Sequence, residues 1–185
     1  MKHPPSGDPQ ERLAVLHDMV VTYSRRLDLI SPRDLPRLYE RHIEDSLRAL
    51  PLVLAARSGP CVDVGSGAGF PGIPLAIASG RHWRLIEPRA RRAAFLEEVV
   101  RELDLERCEV LPVTAEQAAL RPGVGASHVL AIARALAPPP EALDICAPLV
   151  APGGTIALFV GANTEIPPEA EETAPGLITI VKDGG

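Results

Sequence analysis

Eleven residues, Val62-Asp63-Val64-Gly65-Ser66-Gly67-Ala68-Gly69-Phe70-Pro71-Gly72, constrain this chain more than any other stretch. They place a glycine-rich turn directly after a short apolar run and directly before the apolar segment Ile73 to Ala78. Glycines there allow a tight turn and a close approach of backbone to ligand. Such a turn on its own is a weak sign of a nucleotide site. What strengthens it is Glu87, which closes the next apolar run 22 residues after Gly65. From that position a carboxylate accepts the hydroxyls of an adenosyl ribose in nucleotide-binding α/β folds.

The rest of the chain agrees with an α/β, Rossmann-like fold. Short apolar runs at residues 61–64, 83–86, 109–113, 129–133, 155–160 and 177–181 read as strands. Helical segments separate them. The clearest spans residues 91–103, where Phe95, Val99 and Leu103 share a face and Glu97 stands four residues before Arg101. Alternation of this kind implies right-handed crossovers and a mostly parallel sheet. Before the first strand, Leu13, Leu16, Val20, Tyr23 and Leu27 mark an amphipathic helix; Pro32 interrupts it, and a second helical stretch is expected over residues 35–56. The expected organisation is an N-terminal helical extension over residues 1–58 packed on a core over 59–185, in one compact domain. Residues 161–176, rich in Glu, Pro and Thr, are expected to form a loop or poorly ordered connection.

Composition narrows the function classes. A net charge of −5 provides no global field to draw in a polyanion, so any contact with nucleic acid must rest on local arginine clusters. Cys61, Cys108 and Cys146 are odd in number and widely spaced, which fits reduced thiols rather than disulfides or zinc. The chain has no apolar run of membrane-spanning length, and its N-terminus lacks the apolar core of a signal peptide, so a soluble, cytoplasmic protein is expected. The histidines His3, His17, His42, His82 and His128 show no metal-ligand spacing. No Ser/His/Asp or Cys/His arrangement names a catalytic base.

NAD, flavin and S-adenosylmethionine sites all use a glycine loop and an acidic strand end. Here the third glycine comes one residue earlier than in a dinucleotide fingerprint, and Phe-Pro-Gly follows, which suits a pyrophosphate less well. S-adenosylmethionine needs backbone donors, a carboxylate environment and an apolar slot. Asp63, the amides around Gly65, Gly67 and Gly69, and Phe70 could supply them.

Asp63 to Pro74 (DVGSGAGFPGIP), the upstream Arg41-His42-Ile43-Glu44-Asp45-Ser46-Leu47 and the downstream Arg134-Ala135 closely resemble the RsmG (GidB) family. These class I methyltransferases use S-adenosylmethionine to modify the N7 of a guanine in small-subunit (16S) ribosomal RNA. The resemblance spans Leu13 to Gly161. It implies cofactor contacts at Gly65, Phe70, Glu87, Ala115, Glu116 and Arg134, and a partner that is ribosomal RNA or its assembling subunit. No membrane or metal partner is expected, and a monomer is expected. The residues by themselves support only Gly65 and Glu87: Ala115-Glu116 would otherwise read as an ordinary helix start, and Arg134 as a surface arginine. Arg41, His42, Arg91 and Arg92, with Arg89 beside them, are candidates to touch RNA.

The sequence departs from the family pattern in several places. It has Asp28-Leu29-Ile30 where Asn-Leu-Thr is usual, His128 where an acid is usual, and Val160 where Lys is usual. The segment from Gly161 to Leu177 is expected to leave little room for the family's helix and extra strand. Two alternatives follow from these losses: a small-molecule methyltransferase of the same fold, or a cofactor-binding module without turnover.

Overall fold

The computed structural model describes residues 7–183. Seven strands form one sheet: β1 (Cys61–Val64), β2 (Trp83–Ile86), β3 (Cys108–Leu111), β4 (His128–Arg134), β5 (Val150–Phe159), β6 (Glu171–Ala174) and β7 (Leu177–Val181). Their order is β3-β2-β1-β4-β5-β7-β6, with β1 to β5 parallel and β5-β7-β6 antiparallel. The order reverses at β1 and β4, which opens a crevice at their C-terminal ends.

Helices cover both faces. On one side lie α1 (Pro9–Leu27), α4 (Gly72–Ser79) and α5 (Ala90–Glu102), where Leu13, Leu16 and Val20 pack on Ile73, Ile77, Phe95 and Leu96. The short α2 (Asp45–Leu47) and α3 (Leu50–Ala55) close the same side, α3 setting Val53 against Leu75 and Trp83. The other face carries α6 (Ala115–Ala119) and α7 (Pro139–Cys146), whose Ala118, Ala142 and Cys146 pack on Val62, Val64 and Ile156. Asp63, between Val62 and Val64, therefore points with the alternation of the strand toward α4. Burial raises the Cys61 thiol to about 11 and those of Cys108 and Cys146 to about 12, and all three are free.

Two expectations are corrected. The stretch 35–56 is not one helix: a 3-10 turn (Leu35–Arg37) leads into a π-helical segment (Tyr39–Glu44), then α2, then α3. Pro36 and Pro51 lack the N–H a continuous helix needs, and each sits in the first turn of a new segment instead. The connection 161–176 is not all loop either. Residues Glu171–Ala174 form β6, an exposed edge strand paired to β7 across the turn at Gly176 (φ 69°). Its Glu-Glu-Thr-Ala sequence carries no apolar alternation, so only pairing with β7 reveals it.

His128 is completely buried at the start of β4. Its Nδ1 lies 2.8 Å from the Leu149 carbonyl, and its Nε2 lies 3.2 Å from Nη1 of Arg84. Arginine only donates, so Nε2 accepts and Nδ1–H donates, which pins β4 to the start of β5. Burial is the largest cause of a fall in its pKa from 6.5 to about 4. The folded state thus resists a proton that the unfolded chain takes up, and stability drops as pH falls from about 6.5 to about 4. The loss should reach roughly 3 kcal/mol. Urea unfolding of the wild type and of His128→Gln across this window isolates the effect, because other groups cancel. The variant should lack this slope, and identical slopes would refute the assignment.

Candidate functional site

The loop between β1 and α4 is held by two carboxylates, each accepting backbone amides. Asp63, fully buried, accepts the Gly72 amide on Oδ2 at 2.9 Å. Glu87, 4% exposed at the end of β2, accepts the Gly67 amide on Oε2 at 2.9 Å and the Arg89 amide on Oε1 at 2.8 Å. The amides of Gly65 and Ser66 donate to the Ile86 carbonyl, and that of Gly69 to Ser66. Gly65, Gly67 and Gly69 all have positive φ, and Leu136 covers Gly65 so closely that a Cβ there would lie 2.8 Å from its Cδ1. The spacing of glycines and acid in the sequence is therefore a set of hydrogen bonds in three dimensions.

Burial raises the Asp63 carboxyl to about 7, against the pull of the Gly72 amide, the Ser66 hydroxyl and the Arg134 guanidinium. Its second oxygen, Oδ1, is buried without a partner.

Arg134 is not a surface arginine. At the end of β4 its guanidinium lies 5.5 Å from the centre of the Phe70 ring, 3.0 Å from His42 Nδ1 and 3.5 Å from Asp45 Oδ2. Burial lowers its pKa, while Asp45 and Asp63 act in the opposite sense. His42 also stacks on Phe70, with ring centroids 5.3 Å apart. Because Arg134 must donate to Nδ1, the imidazole proton sits on Nε2, an atom buried without a partner. Burial, then the charge of Arg134, keeps His42 less basic than a free histidine. Ala135, the next residue, has φ 52°, a left-handed conformation costing a residue with a Cβ about 1 kcal/mol.

The other candidates divide. Ala115 is buried and Glu116 exposed in the first turn of α6, after β3; the Thr114 hydroxyl holds the Glu116 carboxyl below its usual range. Arg41 is exposed and paired with Asp34 at 2.5 Å. Arg91 is exposed. Arg92 points inward to the loop: Nη2 donates to the Asp28 carbonyl at 2.9 Å, and Nη1 would lie 3.8 Å from a Cβ on Gly67. Sequence reasoning assigned no role to Asp45, although its place three residues after His42 puts both on one helical face. A cleft of about 330 Å³ opens between the ends of β4 and β5, on the α7 side, walled by Ala133, Leu136, Pro138, Leu158, Phe159 and Val160; the Arg134 side chain is not part of its wall. Among the described residues no cluster is arranged to hold a metal ion.

Residues 9–180 match the family described as rRNA small subunit methyltransferase G, GidB. The chain belongs to this family. A ribosomal RNA small subunit methyltransferase G of Acidiphilium cryptum is 42% identical over 159 residues, covering 83% of this chain and 70% of its own. One from Granulibacter bethesdensis is 37% identical over 168 residues, covering 86% and 71%. Among solved structures, a Methanococcus maripaludis protein described as a putative S-adenosyl-L-methionine-dependent methyltransferase superposes with a TM-score of 0.54 at 15% identity, covering 87% of this chain and 67% of that one. The GidB chain therefore has the class I methyltransferase fold.

A Cβ on Gly72 would lie 2.5 Å from Asp63 Oδ2 and 2.6 Å from Leu85 Cδ2. Gly72→Ala should therefore cost about 2 kcal/mol through overpacking, a fall in Tm of about 4–8 °C. Calorimetry giving an unchanged Tm would show that the loop does not depend on this contact.

Proposed function

We propose that this GidB-family chain transfers a methyl group from S-adenosylmethionine to the N7 of a guanine in small-subunit (16S) ribosomal RNA, in the cytoplasm. The observation that carries the reading is the convergence of the Gly65–Gly69 turn on Glu87, with the Arg134 cluster beside it, at the ends of the central strands.

The residues fit the cofactor. Each Glu87 oxygen accepts one amide and keeps a lone pair for a ribose hydroxyl. Ala115 and Glu116, in the first turn of α6 after β3, flank the adenine side. The unpartnered Asp63 Oδ1 is a buried acceptor suited to an ammonium, and the Phe70 ring presents a π face to a cationic centre. When bound, S-adenosylmethionine supplies the methyl group on a sulfonium.

Guanine N7 carries a free lone pair, so no side chain needs to remove a proton, and the protein's contribution is alignment. The apolar cleft at the ends of β4 and β5 receives the base. Arg134, held against Phe70 and His42 at the end of β4, offers a planar donor fork to the RNA. Val160 in the wall of that cleft, where the family usually has Lys, is the one observation that favours a small-molecule acceptor instead.

Glu87→Ala should weaken S-adenosylmethionine binding about a hundredfold, since two strong hydrogen bonds are lost. Isothermal calorimetry reads the affinity, and an unchanged value would remove Glu87 from the site. Primer extension on ribosomal RNA from a deletion strain should show loss of one N7-methylguanine. Persistence of every such modification would favour the small-molecule reading.

A further inference from the structure

We propose that ribosomal RNA docks on a basic surface made where the C-terminal end of α1 meets the N-terminal end of α5, through Arg25, Arg26, Arg33, Arg89 and Arg91. This rests on the RNA reading above and names the surface that reading requires.

The bond from Arg92 Nη2 to the Asp28 carbonyl, together with the Tyr23 and Phe95 rings 5.3 Å apart, seats the end of α1 against the start of α5. Arg25 and Arg26 occupy the last turn of α1, within three residues of Asp28. Arg89 and Arg91 lie within three residues of Arg92, at the start of α5. Arg33 follows in the turn after Ile30. Helical rise and extended-chain reach keep all five close to that one junction. All five are exposed, and none forms an ion pair among the described residues. Neighbouring arginines are already engaged: Arg37 pairs with Glu40, Arg41 with Asp34 and Arg48 with Asp45.

Helix stability does not account for the set. Arg25 and Arg26 suit the negative end of α1, but Arg89 and Arg91 face the positive end of α5, where cations are unfavourable. The helix has no acidic residue in its first turn and no side-chain cap to offset them. The surface adjoins Glu87, whose Oε1 holds the Arg89 amide, so a strand lying on it passes the mouth of the methyl-transfer site. Across the sheet, the acids Glu165, Glu169, Glu171 and Glu172 lie on and before the edge strand β6. A chain with net charge −5 is thereby polarised, and a polyanion is turned toward the arginine side. Asp28, exposed at the junction, is a carboxylate that weakens this field.

The test is filter binding of small-subunit ribosomal RNA, free and assembled in the subunit, over a salt series. R25E/R26E and R89E/R91E should each weaken binding about tenfold or more and flatten the salt slope by about 0.7 for every phosphate no longer neutralised. R25E/R26E should bind S-adenosylmethionine as the wild type does, which also certifies its fold; the milder R25Q/R26Q should fall between. R107E/R121E, at the opposite end of the sheet, should leave RNA binding unchanged, and Asp28→Asn should tighten it. A wild type that methylates the RNA, with salt slopes unaltered by both patch variants, overturns the surface and leaves the methyltransferase reading standing. A wild type that neither binds nor methylates the RNA sinks both.

Discussion

A buried carboxylate gripping a backbone amide is the contact on which the active end of this protein depends. Asp63 leaves β1 facing α4 and takes the Gly72 amide, at the point where α4 begins and a side chain would collide with that same carboxylate. Glu87 repeats the device one strand over, on the amides of Gly67 and Arg89. Together the two acids determine where the turn starts, where it ends and how far it stands above the sheet. Neither works without glycine: one needs space beside its oxygen, the other a turn of positive φ.

The same acids tie shape to charge. Asp63 is too deeply buried to ionise freely, and its carboxyl rises to about 7 although a guanidinium lies in its field. Arg134 is in turn desolvated and supported by Asp45, Asp63 and the Phe70 face. His42 completes the group in one tautomer because its neighbour can only donate. The RHIEDSL segment, far from the glycine loop in sequence, thus shares a single electrostatic cluster with it. Its π-helical winding and the left-handed backbone at Ala135 are local costs met by that cluster, as expected where geometry serves binding rather than stability.

The arginines also sort themselves by surroundings. Arg92 and Arg134 are struts that join segments of the fold; Arg41 is neutralised by Asp34; Arg91 and Arg89 stand free at a helix end that disfavours them. Residue type alone grouped these side chains, whereas their partners separate them into structural and available charges.

Much was decided by sequence. An apolar run, glycines at close spacing and an acid closing the following run specify a strand-turn-helix unit almost by sterics alone, and the alternation beyond it specifies a mostly parallel sheet. Tertiary structure decided what depends on contacts between distant segments. Strand β6 exists because β7 offers it a ladder, not because Glu-Glu-Thr-Ala favours extension. Arg134 became interior because α2 and the preceding segment fold over it with His42 and Asp45, and no local pattern around residue 134 records partners about ninety positions away. Periodicity reports which face of an element is apolar; it does not report which charge will be brought against which, because that follows from packing.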